Sequence, residues 1–157
     1  MTGNDPAGRG VVVVGVDGSE ASKDALRWGM NYARMVGATV RAVTVWRFPV
    51  AFLWSPTPDP EMDLEDAARQ ALKQIVEQVA GDQGQVKIET EVVEGPPALM
   101  LLEAAEDADL LVVGSRGHGA FTGMLLGSVS EHCVHQAPCP VVVIRHPHHA
   151  EQQRSDS

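Results

Sequence analysis

The chain has 157 residues, of which 44% are hydrophobic, and its formal net charge is −9. This length suits one domain with a substantial core and leaves little room for a second. The excess of acidic residues argues against nucleic acid or an anionic membrane as the main partner. Apolar runs such as Val11–Val14 and Leu99–Leu102 are far too short to cross a bilayer.

The chain ends and the two cysteines bear on where the protein works. Residues 1–8 and 147–157 show no periodicity, so we expect mobile tails on a single domain that covers residues 9–146. The N-terminal tail lacks the apolar core of a secretory leader. Cys133 and Cys139 lie near an apolar segment and are interpreted as free thiols in a reducing compartment. We therefore expect a cytoplasmic protein.

Strand and helix patterns alternate from the start of the domain. Val11–Val16 is a β-branched run, typical of a strand that is buried on both faces of a parallel sheet. The helix that follows ends at Gly37, a second strand covers Thr39–Trp46, and prolines keep Arg47–Asp59 as a loop. The predicted buried face of the first helix consists of apolar residues spaced three and four apart: Ala21, Ala25, Trp28, Tyr32 and Val36.

The middle of the chain continues the alternation. A second helix is predicted to begin with Asp59 as N-cap and Pro60 as its first residue. Val86–Val92 alternates apolar and polar residues, which places a third strand at a sheet edge. A short third helix ends at Ala105, and Asp109–Val113 is the fourth strand. The predicted buried stripe of the second helix is Leu64, Ala68, Ala71, Leu72, Ile75 and Val79.

The last helix and strand complete the pattern. Residues 128–131 have the sequence of a capping box, in which the Ser128 hydroxyl and the Glu131 carboxylate satisfy amides at a helix start. The helix runs to about Gln136, and Val141–Ile144 is the fifth strand. Five strands that alternate with four helices predict a doubly wound, Rossmann-like α/β fold with helices on both faces of a parallel sheet.

A glycine-rich loop joins the fourth strand to the last helix, with glycines at positions 114, 117, 119, 123 and 127. Such a loop before a helix N-terminus suits a phosphate-bearing ligand, and the alternative is a flexible connection that binds nothing. The loop is not a P-loop because it has no lysine. Its spacing also misses the dinucleotide fingerprint G-x-G-x-x-G by one residue.

The spacing Gly114-x2-Gly117-x9-Gly127-Ser128 resembles the ATP-binding branch of the universal stress protein family. The resemblance extends to Val11–Ser19 at the front of the domain and to Ala137–Ile144 at its back. It implies the strand order 3-2-1-4-5, which agrees with the edge position of the third strand. In that order the first and fourth strands are neighbours where the winding reverses, and ligands of such sheets bind outside the carboxyl ends of the strands there.

The resemblance implies an adenine nucleotide in this crevice, with ATP as the expected ligand. Asp17 would contact adenine or ribose, although a turn aspartate could instead cap the first helix. The backbone of Val45 would recognise adenine, whereas its side chain is equally consistent with plain core. Arg116 is the loop's only permanent cation, and it could instead face solvent. Backbone dipoles, with Mg²⁺ as a candidate, would supply the remaining charge neutralisation.

The glycines and serines of the loop have separate expected roles. Gly114 and Gly117 would let backbone amides approach the phosphates, and Gly127 would let the chain pass close to them. Ser128 and Ser130 would donate hydroxyl groups. The full set of expected nucleotide-binding residues is Gly15, Asp17, Ser19, Val45, Gly114, Ser115, Arg116, Gly117, His118, Gly119, Gly127, Ser128, Val129 and Ser130.

These features favour a nucleotide-dependent stress-response regulator or sensor whose regulated partner the sequence does not identify. No catalytic triad, carboxylate pair or lysine-based phosphoryl-transfer apparatus is evident. The alternatives are a binding module for AMP or cyclic AMP and a weak ATP hydrolase. The apolar edge strand Val141–Ile144 and the resemblance together imply a homodimer.

Two other groups of residues have a functional and a structural interpretation. The apolar run Phe48–Trp54 could form a lid, a partner surface or a loop folded onto its own domain. A zinc site is disfavoured because the candidate ligands match no standard spacing. Those candidates are His132, Cys133, His135 and Cys139.

Overall fold

The computed structural model describes residues 10–47, 63–81, 86–116 and 126–146. Within these ranges five strands form one parallel sheet in the order β3-β2-β1-β4-β5. The predicted doubly wound fold and its strand order are confirmed. In chain order the elements are β1 (Val11–Gly15), α1 (Glu20–Val36), β2 (Thr39–Trp46), α2 (Leu64–Ala80), β3 (Ile88–Glu94), α3 (Pro97–Ala104), β4 (Leu110–Gly114), α4 (Ser128–Gln136) and β5 (Val141–Ile144).

Helices cover both faces of the sheet and create two separate cores. On one face Val14 packs in a cluster with Leu26 of α1 and Leu72 of α2. On the other face Val13 belongs to a cluster with Leu101 of α3 and Cys133 of α4. Because successive side chains of β1 point to opposite faces, both cores need an apolar residue at every position. This arrangement explains why β1 is a continuous valine run without alternation.

The strand bounds agree closely with the sequence-based prediction. The bounds of β2 and β5 are the predicted ones, and β3 occupies the predicted edge. The prediction for β3 began two residues early, since the strand runs from Ile88 to Glu94. β1 and β4 each end in a glycine, Gly15 and Gly114, where the chain leaves the sheet.

The predicted buried face of α1 was partly wrong. Trp28 and Tyr32 lie on the rim of the helix, where their rings stack with centroids 5.4 Å apart. Gly29 sets this rotation, because a Cβ there would lie 2.8 Å from the side chain of Val14. The face of α1 that contacts the sheet therefore includes Gly29, which a pattern of apolar residues does not reveal. The residues buried on this face are Ala21, Ser22, Ala25, Leu26, Gly29, Met30 and Ala33.

The start of α2 also differs from the prediction. Asp63 is the N-cap, and its carboxylate accepts a hydrogen bond from the Asp66 backbone N–H at 3.0 Å. Asp59 and Pro60 lie outside the described residues. Leu72 is the fully buried member of the predicted stripe, whereas Ala71 is exposed. The stripe is shallow because α2 packs on β2 and the edge strand β3.

Candidate functional site

The candidate site lies where the winding of the sheet reverses. β1 and β4 are adjacent and parallel, with Val14 opposite Val112. After β1 the chain enters α1 on one face, and after β4 it leads to α4 on the other. Adjacent strands whose following helices lie on opposite faces are expected to leave a ligand crevice beyond their carboxyl ends. The described parts of both sequence motifs, residues 15–19 and 114–116, lie at these strand ends.

The turn from β1 to α1 holds a carboxylate in a defined position. The Asp17 Oδ1 atom accepts hydrogen bonds from the Ser19 backbone N–H at 2.9 Å and from the Ser19 hydroxyl at 2.6 Å. Gly18 has a φ of +87°, which a residue with a side chain rarely adopts. The cap of α1 is Ser19, whose hydroxyl oxygen accepts from the Ser22 N–H. Capping is thus the role of Ser19, and Asp17 is presented at the exposed end of the strand.

The glycines that end β1 and β4 serve the packing of helices. A Cβ on Gly114 would lie 2.8 Å from the Cβ of Ala21 and 3.0 Å from the backbone nitrogen of Ser22. A Cβ on Gly15 would meet the terminal methyl groups of Leu101 at 3.0 and 3.3 Å. The space beside Gly114 is therefore filled by the first turn of α1. Packing alone therefore requires a glycine at position 114, and the expected approach of phosphates to its backbone stays a prediction.

The start of α4 corrects a prediction. The N-cap is Gly127, with φ −71° and no side-chain capping bond, and Ser128 is the first helical residue. The predicted capping box at Ser128 is therefore wrong, because Ser128 lies inside the helix and the N-cap has no side chain. The φ of Gly127 is one that any residue adopts, so its lack of a side chain is not a backbone requirement. Its N–H donates to the Ser115 carbonyl at 2.6 Å, so this amide is already engaged.

The first turn of α4 presents amides that are suited to an anion. The first hydrogen bond of the helix runs from the Glu131 N–H to the Gly127 carbonyl. The N–H groups of Ser128, Val129 and Ser130 precede it and have no carbonyl within the helix to bind. Together with the positive end of the helix dipole, they favour a bound phosphate. The hydroxyl of Ser130 is expected to face a ligand but instead donates to backbone carbonyls.

The backbone of Val45 faces the same crevice. The pairing of β1 with β2 ends at Gly15 and Val43, and the Val16 N–H donates to the Val43 carbonyl. Since alternate residues of a strand point their peptide groups to the same side, those of Val45 point to the β1 side, beyond the end of β1. Thr44 aids this opening, because its hydroxyl donates to the Val16 carbonyl at 2.8 Å.

Two hydroxyl residues that shape this region belong to neither sequence motif. Thr44 occupies the Val16 carbonyl that would otherwise continue the ladder. Ser22 is buried in α1, where its hydroxyl donates to the Ser19 carbonyl and accepts from the Asp17 N–H. Ser22 could have been noticed as the third residue of a predicted helix. The strand sequence around Thr44 carries no such signal.

A small change at Ser128 distinguishes the observed helix start from the predicted one. We expect Ser128→Ala to lower the free energy of unfolding by less than about 0.5 kcal/mol, because no capping bond is lost. Ser19→Ala, at a cap with a side-chain bond, should cost about 1 kcal/mol. Urea denaturation of both variants measures the difference. A cost for Ser128→Ala equal to that of Ser19→Ala would restore the capping box.

Part of the predicted site lies outside the described residues. Gly117, His118 and Gly119 belong to this part, as does the whole of the Phe48–Trp54 run. Arg116 is described and half-buried, and within the described ranges its side chain makes no ion pair.

The cysteines and histidines of α4 have local structural contacts. Within the part of the chain that the structure describes, no three His, Cys, Asp or Glu residues are grouped so that they could hold a metal ion. Burial raises the pKa of the Cys133 thiol to about 11, so the thiolate that a metal requires is disfavoured at neutral pH. The His132 Nδ1 atom lies 2.9 Å from the Ser128 carbonyl of its own helix. Burial is thus a sufficient structural role for Cys133, and the contact with the Ser128 carbonyl is one for His132.

Comparison with known proteins identifies the family of the chain. The model of the universal stress protein family matches residues 8–145. The chain belongs to the universal stress protein family. No helix in the described ranges has the length and apolar character needed to cross a membrane.

Individual members of the family show how far the likeness extends. Universal stress protein Rv2624c of Mycobacterium tuberculosis is 35% identical over 92% of this chain and 52% of its own length. The chain thus spans about half the length of the first mycobacterial relatives that it matches. Among solved structures, UspA from Lactobacillus plantarum is 28% identical, with a TM-score of 0.72 over 88% of this chain and 99% of its own. A universal stress protein in complex with cAMP is 29% identical, with a TM-score of 0.65 over 88% and 98% of the two chains.

Proposed function

We propose that this universal stress protein binds an adenine nucleotide, with ATP as the expected ligand, and acts as a nucleotide-dependent regulator in a stress response. The observation that carries the proposal is the placement of three polar groups at the carboxyl ends of neighbouring strands. These groups are the Asp17 carboxylate, the backbone of Val45 and the first-turn amides of α4. Each suits a different part of a nucleotide.

The proposed roles follow from the chemistry of each group. The backbone N–H and C=O of Val45 offer a donor and an acceptor side by side, which suits the edge of adenine. The Asp17 carboxylate would repel phosphates but accepts hydrogen bonds from ribose hydroxyls. The amides of Ser128 and Val129 would hold phosphate oxygens, with Arg116 as the nearby cation. Mg²⁺ would reduce the repulsion within a triphosphate.

The choice of nucleotide has a specific alternative. The solved complex with cAMP, a family member that is 29% identical, favours a cyclic monophosphate as the second candidate. Cyclic AMP and AMP carry a single phosphate, which the amides at the N-terminus of α4 could hold alone. Slow ATP hydrolysis stays a further prediction, as does the cytoplasmic location.

Binding and identity can be measured together. We expect native mass spectrometry of the freshly purified protein to show a co-purified adenine nucleotide, and calorimetry to rank ATP, AMP and cyclic AMP. Asp17→Asn should weaken binding about tenfold, because a charge-assisted bond to ribose becomes a neutral one.

Asp107→Asn is the matched control for this substitution. It removes a carboxylate that pairs with Arg41 at 3.0 Å, near the end of α3 and away from the crevice. The Asp107→Asn variant should bind the adenine nucleotide with the affinity of the parent. Equal affinities of the parent and both variants would refute the role of Asp17, and no binding of any adenine nucleotide would refute the function.

We also propose a homodimer through β5. In the sheet order β5 is an edge strand, and its four apolar residues are all partly accessible. An apolar edge strand favours pairing with a second strand, and a two-fold axis beside β5 would pair it with its own copy. The opposite edge, β3, carries Glu89 and Glu91, which discourage such pairing.

A further inference from the structure

The Ser130 side chain joins the two chain segments that border the candidate phosphate position. Its hydroxyl lies 2.9 Å from the Ser115 carbonyl and 3.0 Å from the Gly127 carbonyl. Ser130 is only 3% exposed. The Gly127 N–H donates to the same Ser115 carbonyl at 2.6 Å. Two donors at the start of α4, the Ser130 hydroxyl and the Gly127 N–H, therefore bind the Ser115 carbonyl oxygen and connect this helix to the end of β4.

The Ser130 hydroxyl faces two backbone carbonyls in this structure rather than an open ligand position. A hydroxyl has a single proton, and both of its neighbours here are carbonyl acceptors. A proton shared between the two carbonyls is used inside the protein, and its bond to the Ser115 carbonyl joins α4 to the end of β4. Ser115 is also held from the other side, because its N–H donates to the Ile144 carbonyl of β5 at 2.7 Å. Ser130 thus connects α4 to a segment that is already fixed to the sheet.

We propose that Ser130 is a positioning residue for nucleotide binding, which holds the N-terminus of α4 against the end of β4. The inference rests on the proposed function. Orienting the amides of Ser128 and Val129 before a phosphate arrives lowers the ordering cost of binding. Without the hydroxyl, the Gly127–Ser115 hydrogen bond remains alone and opens more often.

The test combines amide exchange with nucleotide affinity in three variants. Ser130→Ala removes the hydroxyl, and Ser130→Thr keeps it. Cys133→Ala is the matched control, since Cys133 is buried on the same helix one turn later and contacts neither Ser115 nor Gly127 in a hydrogen bond. Exchange of the Gly127 amide is followed by NMR without nucleotide, and ATP affinity is followed by calorimetry.

We expect Ser130→Ala to speed exchange of the Gly127 amide about tenfold and to weaken ATP binding by a similar factor. Ser130→Thr and Cys133→Ala should stay close to the parent in both measurements. Unchanged Gly127 exchange in Ser130→Ala, or equal acceleration in Cys133→Ala, would overturn the tie between the segments. Faster exchange with unchanged affinity would overturn the positioning role. If the parent binds no nucleotide, the proposed function fails, while the exchange data still decide whether the tie exists.

Discussion

Gly114→Ala should lower the free energy of unfolding by about 2–3 kcal/mol, because the added methyl group meets backbone that cannot move aside. The new Cβ would lie 2.8 Å from the Cβ of Ala21, 2.9 Å from its carbonyl carbon and 3.0 Å from the nitrogen of Ser22. Gly29 seats the same helix closely against Val14, so α1 has little freedom to retreat. The first turn of α1 must shift, and Asp17 and Ser19 shift with it.

Gly15→Ala provides the matched control at the end of the neighbouring strand. Its Cβ would come closest to the terminal methyl groups of Leu101, which can rotate away, and would lie at an ordinary contact distance of 3.7 Å from the Cγ1 atom of Val113. We expect a cost below about 1.5 kcal/mol for this variant. Urea denaturation of both variants measures the two changes in the free energy of unfolding. Equal costs, or a larger cost at Gly15, would contradict the packing role assigned to Gly114.

Val142→Lys should convert a dimeric parent into a monomer. Val142 lies in β5 opposite Val112 and packs against the core on the α1 and α2 face. In an antiparallel pair of β5 strands, a lysine there would bring its charge close to the partner copy's lysine and lose apolar contact. Sedimentation velocity at micromolar concentration measures the outcome, and thermal unfolding verifies that the variant folds.

Glu91→Lys places the same side chain on the opposite sheet edge and should leave the assembly unchanged. The rival explanation is that residues beyond His146 cover β5 within one chain. His146 hydrogen-bonds Asp24 of α1 at 2.6 Å, and residues 147–157 lie outside the described ranges. A chain ending at His146 separates the two ideas. A monomeric parent that dimerises only after this truncation would contradict the proposed dimer, as would a dimeric Val142→Lys variant.

The sheet was predictable because burial on two faces leaves a simple trace in the sequence. The valines of β1 and the apolar run of β4 had to serve two cores at once, so the strands appeared as unbroken apolar segments. The alternation in β3 indicated an edge, and the resemblance supplied the order of the remaining strands. The location of the crevice then followed from topology alone.

The details of the helices were less predictable because small and polar residues determined them. Gly29, which an apolar count ignores, decides how α1 rotates onto the sheet and leaves Trp28 and Tyr32 at the rim. Ser128 and Gly127 are both acceptable N-caps, and the hydrogen bond from Gly127 to Ser115 favours the earlier one. Both outcomes depend on contacts between segments that are distant in the sequence.

A similar limit applies to the roles of single site residues. The family motif implies that Gly114 and Ser130 lie near a nucleotide, but it does not distinguish a ligand contact from a residue that supports the site. In the structure Gly114 packs closely against α1, and the Ser130 hydroxyl lies within hydrogen-bond distance of two carbonyl oxygens. Asp17 and Val45 keep their predicted roles as proposals, because both lie at the carboxyl ends of adjacent strands.

A titration of the ¹⁵N-labelled protein with ATP and Mg²⁺, followed by amide chemical shifts, tests the nucleotide site most directly. We expect saturable shifts at residues 17–19, at Val45 and at residues 128–130, with the β3 edge around Glu91 unchanged. Absence of shifts at millimolar ATP, or shifts confined to other surfaces, would contradict nucleotide binding at this crevice.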